Sequence, residues 1–380
     1  MPGASGSAAG AGSTAALLDP SVPLEPVPGG TDGAPVAVPV RRSTARVVLL
    51  FAAGCVVLLV SVVVSVRIGS TPVGYGDVLR SVASRLGIEA GGAPVPRLLD
   101  SLVWELRVPR VLLAALVGAS LAVCGAVLQA VTRNALADPY LLGVSSGAST
   151  GAVVVVVLGF GAQTFGVTGG AFLGALLSFG LLMLLLGHGG LDSVRIVLTG
   201  VVVAQLFTAL TSLVLMASGD ADVVRAITQW LLGSMASARW DAVLVCAAVT
   251  AAGCALVWGA SGALDGLSFG SDTAASLGVE VRRTRGVLLV VTSLMAAVAV
   301  AAVGAIGFVG LIVPHGVRFL VGPAHRVLLP FSAVAGAVFL VWTDALARVA
   351  FAPREVPVGV FTALLGVPLF LWVLRRRGDL

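Results

Sequence analysis

The stretch Val111 to Thr132, VLLAALVGASLAVCGAVLQAVT, contains no charged residue and decides the fold class. A helix of about 20 residues crosses the hydrocarbon core of a bilayer, and this stretch is long enough to do so. Three further uncharged stretches are also long enough: Gly143 to Gly187, Ile196 to Gly219 and Gly286 to His315. Only helices and closed barrels satisfy their backbone in lipid, and these runs lack the alternation of a barrel strand. They predict an all-α polytopic membrane protein.

The composition of the whole chain agrees with this prediction. Of 380 residues, 58% are hydrophobic and 11% are charged, whereas soluble domains carry about 25% charged residues. The formal net charge of +5 would permit a nucleic-acid partner. The basic residues, however, lie at the ends of apolar runs and form no stripe, so no nucleic-acid partner is expected.

The apolar runs predict about ten transmembrane helices, the first over Val47 to Val66. The others are expected near 108–132, 143–160, 167–187, 195–217, 240–260, 286–306, 307–321, 327–347 and 359–374. An even number of spans places both termini on one side of the membrane. Arginines mark the cytoplasmic side of membrane helices. Arginines precede the first span and follow the last span, so both termini are predicted to be cytoplasmic. These arginines are Arg41, Arg42, Arg46, Arg375, Arg376 and Arg377.

Two regions of different character are expected. Residues 1–45 are rich in Gly, Ala, Pro and Ser and predict a disordered cytoplasmic tail. Residues 46–377 form the transmembrane domain. Within it, Arg107-Val-Pro-Arg110 precedes the second span, and a similar string, Arg282 to Arg285, precedes the seventh. An offset of five spans inverts the topology, so the repeat indicates two inverted five-helix halves.

The missing residue types restrict the energy source. All 23 basic residues are arginines, and a phosphate-binding loop requires a lysine. Ion-coupled carriers usually place a carboxylate at mid-membrane, whereas Asp344 and Asp241, the closest candidates, are interpreted as residues near span ends. An ATPase on a separate subunit is therefore favoured. No catalytic cluster, cofactor or metal site is expected from the four cysteines and three histidines, which are Cys55, Cys124, Cys246, Cys254, His188, His315 and His325.

Long strings around the second span and in the last third of the chain carry a resemblance. They are 107–110 RVPR, 117–129 VGASLAVCGAVLQ, 133–139 RNALADP, 141–147 LLGVSSG, 304–315 GAIGFVGLIVPH, 355–359 EVPVG and 365–368 LGVP. In this order the strings resemble the FecCD family of importer permeases, which move iron–siderophores, haem or cobalamin. The chain departs from the family at Ala135, where a proline is usual.

The resemblance implies a set of partners and sites. It implies a homodimer, or a dimer with a close paralogue, that works with ABC ATPase subunits and an extracytoplasmic substrate-binding protein. Docking of the binding protein is implied for Arg107, Arg110 and Arg348. A cytoplasmic coupling loop is implied at 264–281, with Asp272, Ala275, Leu277 and Gly278 contacting the ATPase. The pathway is implied near the fifth and tenth spans.

The predicted function is that of a permease subunit of an ATP-driven importer for ferric siderophores, working by alternating access in the bacterial plasma membrane with lipid around it. Haem and cobalamin stay open as alternative cargoes, because the strings are shared by all three. An ion-coupled secondary transporter and a membrane-embedded enzyme are the alternatives from other classes.

Overall fold

The computed structural model describes residues 44–69, 73–85, 95–159, 166–187, 190–218, 221–352 and 354–376. The tail predicted over 1–45 lies almost wholly outside these residues, as do Arg41, Arg42, His188 and Arg377. Throughout the described ranges the regular structure is helical, without a strand.

The helices follow one another with short connections. In chain order they are α1 Thr44–Arg67, α2 Tyr75–Arg85, α3 Arg97–Ser101, a π-helical segment Leu102–Arg107, α4 Val108–Thr132, a 3-10 turn Pro139–Leu142, α5 Val144–Leu158, α6 Gly166–Gly187, α7 Ser193–Ala217, α8 Ala221–Leu231, α9 Trp240–Gly259, α10 Ser261–Phe269, α11 Ser271–Ser276, α12 Val281–Val303, α13 Val309–Val321, α14 His325–Val349 and α15 Val358–Arg376. Seven spans in the described part are long and apolar enough to cross a membrane, and α5, α13 and α15 are shorter apolar helices. Together they confirm the prediction of about ten.

Two breaks in the helices, one in each half, contact one another. In the first half, Gly143 has a φ of 74° and separates the 3-10 turn from α5. In the second half, Gly304 has a φ of 78° and ends α12, and Phe308 has a φ of 69° directly before α13. The amide of Ile306 donates to the Tyr140 hydroxyl at 2.5 Å, which joins the two breaks.

The packing between the halves is reciprocal. Helix α4, the second span, packs against α13 and α14, the eighth and ninth spans. Helix α12, the seventh span, packs against α5 and α6, the third and fourth. The two helices also contact each other. An exchange of equivalent partners is what two inverted five-helix halves produce.

Glycines bring the central helices into backbone contact. A side chain at Gly118 would collide with the carbonyl of Gly336 on α14, and one at Gly125 would collide with the carbonyl of Gly310 on α13. Lipid supplies no hydrophobic force between apolar helices, so such close van der Waals contact provides much of the stabilisation. Helix α4 is therefore the centre of the fold.

We predict that Gly118→Val destabilises the protein, because the added side chain meets α14 backbone that cannot move aside. Overpacking of this kind costs about 1–3 kcal/mol. The matched control is Gly180→Val on α6, since that glycine also lies within a helix but has no atom within 4 Å of an added Cβ. The readout is the midpoint of heat-induced loss of folded protein in detergent, followed by size-exclusion chromatography. Equal midpoints for the two variants would contradict the packing argument.

Candidate functional site

A cluster of charged residues lies where α4 and α14 reach the predicted external side. Arg110 on α4 donates to the Asp344 carboxylate on α14 from Nε at 3.1 Å and from Nη2 at 3.0 Å. Its Nη1 donates to Glu355 at 2.8 Å. The Asp344 side chain is only 1% exposed, whereas that of Glu355 is 45% exposed. Asp344 also pairs with Arg348, at 3.1 Å from Nε.

Arg107 and Arg348 donate to the carbonyl end of α1. Arg107 donates from Nη1 to the carbonyls of Val66 at 3.2 Å and Arg67 at 2.9 Å. Arg348 donates to the carbonyl of Ile68 and, at 2.6 Å, to the Ser65 hydroxyl. The last carbonyls of a helix lack partners inside the helix and carry partial negative charge. The two guanidinium groups satisfy these carbonyls and fix α1 to α4 and α14.

The three arginines predicted to dock a binding protein therefore come together, but mostly below the surface. Arg107 and Arg348 are buried, and the Arg110 side chain is 13% exposed. Glu355, which pairs with Arg110, is the more exposed residue of this pair. Docking of the binding protein by the three arginines stays a prediction. The four-residue spacing of Asp344 and Arg348 on one helix could have indicated their ion pair.

The predicted coupling loop forms two short helices, α10 and α11, joined at Gly270. All four residues predicted to contact the ATPase, Asp272, Ala275, Leu277 and Gly278, are exposed. Phe269 and Leu277 are large apolar side chains that are 77% and 68% exposed. Both side chains are therefore accessible to a partner protein.

A buried arginine connects this loop to the helix bundle. Arg285 on α12 donates from Nη1 to the carbonyl of Leu191 at 2.7 Å and from Nη2 to the hydroxyl of Ser271 at 3.1 Å. Ser271 begins α11, and Leu191 lies two residues before α7. A movement of α11 can thus reach the start of α7 through one side chain. Sequence reasoning used Arg285 only as a repeat marker and missed this role.

A second connection joins α10 to α14. The Asp265 carboxylate accepts from the backbone amide of His325 at 2.9 Å and lies 2.7 Å from its Nδ1. The first amides of a helix lack partners within the helix, so the carboxylate satisfies one of those of α14. Helices α10 and α11 are accordingly fixed to two different spans.

Helix α7 carries polar side chains on a face that the rest of the chain leaves open. Gln205, Thr208 and Ser212 are exposed and follow a helical spacing of three and four residues. Leu198, Val202 and Leu213 are also more than 60% exposed. Thr208 and Ser212 donate to carbonyls one turn earlier on α7, at 2.8 and 3.1 Å, and lipid would satisfy none of the remaining polar groups, above all the Gln205 amide. A polar stripe on an otherwise apolar span is therefore expected to face water or another subunit. This is the span near which the pathway was predicted.

The break in the first half contains polar groups that sequence reasoning did not single out. The Asp138 side chain accepts from the Tyr140 amide at 2.9 Å, and burial raises the pKa of its carboxyl to about 6. Nearby on α4, Gln129 donates to the carbonyl of Gly310 at 3.2 Å and accepts from Arg318 of α13. The Gln129 contacts join α4 to α13, next to the two breaks.

In the ranges that the structure describes, ten apolar helices with an open polar face on α7 and an exposed two-helix loop are the features of a multi-pass membrane permease. The chain belongs to the FecCD transport family, whose profile matches residues 57–376. The family resemblance of the sequence strings is thereby confirmed.

Similar proteins handle several cargoes. The cobalamin import system permease protein of Halobacterium salinarum is 39% identical over 89% of this chain and 98% of its own length. The hemin transport system permease protein of Yersinia pestis is 39% identical over 73% and 84%. The Fe(3+)-citrate import system permease protein of Bacillus subtilis is 32% identical over 90% and 98%. A metal-chelate type ABC transporter, solved in an inward-facing conformation, superposes with a TM-score of 0.76 at 29% identity, over 86% of this chain and 99% of that one.

Proposed function

We propose that this chain is the permease subunit of an ATP-driven importer of ferric siderophores, acting with separate ATPase subunits and an external binding protein. The observation that carries the proposal is the path from the exposed loop of α10 and α11, through buried Arg285, to the start of α7. In this mechanism the ATPase contacts Asp272, Ala275, Leu277 and Gly278 and moves the loop. The start of α7 follows, and the polar face of α7 alternates between the two sides of the membrane.

A second permease subunit, identical or closely related, would cover the open face of α7. Exposed apolar residues on two helices support such a contact. Leu198 lies on α7 together with the polar stripe, and Leu364 lies on α15, the other helix near which the pathway was predicted. In the proposed orientation both termini are cytoplasmic, and the loop at 264–281 lies on the same side.

The cargo proposal has one rival with support of its own. Gln205, Thr208 and Ser212 are uncharged hydrogen-bonding groups and suit a large polar chelate. Cobalamin is the second candidate, because the Halobacterium salinarum permease for cobalamin matches over 98% of its length. Binding of ferric siderophores, haem and cobalamin to the cognate binding protein, measured side by side by calorimetry, decides between them.

Uptake into vesicles that hold the reconstituted complex tests the class of transporter. When the lysine that contacts the nucleotide phosphates in the separate ATPase subunit is replaced, uptake should stop.

A substitution in the permease itself tests ion coupling. Asp138→Asn should leave uptake and its pH profile between about pH 5 and 8 unchanged, because asparagine retains the oxygen that accepts from Tyr140. Uptake that persists without ATP hydrolysis, together with loss of pH dependence in Asp138→Asn, would establish ion coupling instead.

The proposed docking role predicts opposite effects for two adjacent residues. Arg110→Gln should weaken binding of the external protein, whereas Glu355→Gln should strengthen it, since Glu355 competes for Arg110 at 2.8 Å. We expect about two- to fivefold for Glu355→Gln, the range for a pair with an exposed partner, with a smaller effect at high salt. Arg354→Gln is the control, because Arg354 is exposed beside Glu355 and was not predicted to dock. Glu355 is 45% exposed, so Glu355→Gln should fold normally. If this variant binds the external protein with unchanged affinity, the proposed docking role of Arg110 is refuted.

The coupling path predicts a separation of ATP hydrolysis from uptake. Arg285→Gln removes the charged donor to Leu191 and Ser271, whereas Arg282→Gln, an exposed neighbour on α12, leaves both contacts in place. Hydrogen bonds from a charged group contribute about 1.5–3 kcal/mol, so uptake per ATP hydrolysed should fall roughly tenfold or more. Hydrolysis and uptake falling in parallel would show that Arg285 serves folding alone.

A further inference from the structure

An apolar groove lies between α1 and α9, on the outside of the bundle and away from the polar face of α7. Its volume is about 580 Å³, within the range of small-molecule pockets. Val47 and Phe51 of α1 form one wall, Cys254 and Trp258 of α9 form the other, and Val334 is among the residues of α14 that line it.

One end of the groove carries positive charge. Arg326, the second residue of α14, lines that end and is exposed. Its guanidinium lies 5.9 Å from the centre of the Trp258 ring, and the Trp258 indole donates to the Arg326 carbonyl at 3.0 Å. Arg46, also exposed, directly precedes Val47. Trp258 and the two arginines all lie at the ends of spans on the predicted cytoplasmic side.

This arrangement matches the parts of one anionic phospholipid. Tryptophan and arginine at the ends of spans lie at the level of lipid headgroups, and basic pockets between spans bind anionic headgroups on the cytoplasmic side. The rest of the groove is apolar and runs along the spans, as an acyl chain does. The guanidinium of Arg326 is suited to this role, because its described contact is with the Trp258 ring. The hydrogen bond from Trp258 goes to the backbone carbonyl of Arg326 and not to its side chain.

We propose that the groove between α1 and α9 binds one anionic phospholipid, with its phosphate at Arg326 and an acyl chain along Phe51, Cys254 and Val334. Such a lipid would be a structural ligand of the permease, distinct from the transported cargo. It would fill the space between α1 and α9 against α14. The proposal does not depend on the identity of the cargo.

Native mass spectrometry of the purified full-length protein tests the proposal. The probes are phosphatidylglycerol and phosphatidylcholine with identical acyl chains, and glycerol phosphate as a headgroup without chains. We expect phosphatidylglycerol to bind more tightly than phosphatidylcholine and glycerol phosphate not to bind. Arg326→Gln should weaken phosphatidylglycerol about fivefold, the effect of one basic residue at an anionic surface. Arg283→Gln, which removes an exposed arginine elsewhere on the same side, should not. Equal weakening by both variants would overturn the proposal, because it would show only a general effect of charge.

The cysteines provide a second test in the unaltered protein. Cys254 lines the groove, Cys55 on α1 is exposed but does not line it, and Cys124 and Cys246 are buried. Phosphatidylglycerol should slow alkylation of Cys254 by a membrane-permeant maleimide and leave the rate at Cys55 unchanged. The two rates are read from the same sample by peptide mass spectrometry. Equal slowing at both thiols, or equal protection by phosphatidylcholine, would contradict a specific site for an anionic lipid.

Discussion

Backbone contact between α4 and its neighbours is the constraint on which the rest of the structure depends. Helix α4 meets α14 at Gly118 and Gly336, and it meets α13 at Gly125 and Gly310. Lipid tails are as apolar as leucine side chains, so a membrane helix gains little from moving leucines out of lipid and into a protein contact. The position of α4 therefore depends on close packing of complementary surfaces. The glycines permit this approach and thereby join the second span to the eighth and ninth. The halves of the chain are consequently interleaved.

In the described part of the chain, the few charged groups inside the apolar bundle make contacts that join elements. Burying an unpaired charge costs several kcal/mol, so each such group requires a partner. Arg110 and Arg348 share Asp344, Arg107 and Arg348 hold the carbonyl end of α1, and Arg285 holds Leu191 and Ser271. At the external side the contacts fix three spans together. At the other side Arg285 joins the start of α11 to α12 and to the segment before α7.

The sequence predicted the helices well and their contacts poorly, for a physical reason. The need for about 20 apolar residues per span is local, so the ten helices and even the break near Gly304 could be read from the chain. Whether an arginine near a span end faces solvent or the bundle depends on residues far away. Arg110 and Asp344 are 234 positions apart, and nothing local to Arg107 or Arg348 indicates that each caps α1. The contacts of Arg285, to residues 94 and 14 positions away, were missed for the same reason.

The distribution of rigid and loosely held parts bears on how such a permease can change state. Helices α4, α13 and α14 are in close backbone contact, and any rotation between them would break the Gly118 and Gly125 contacts. Helix α7 packs mainly against α5 and α6 and leaves much of its surface open. Hinge and shear motions occur where packing is least constrained, since packed interfaces switch between discrete arrangements and do not deform continuously. Arg285 belongs to α12 and contacts the loop before α7, so under the proposed mechanism a movement of α11 would be passed to α12 and to the more loosely packed α7.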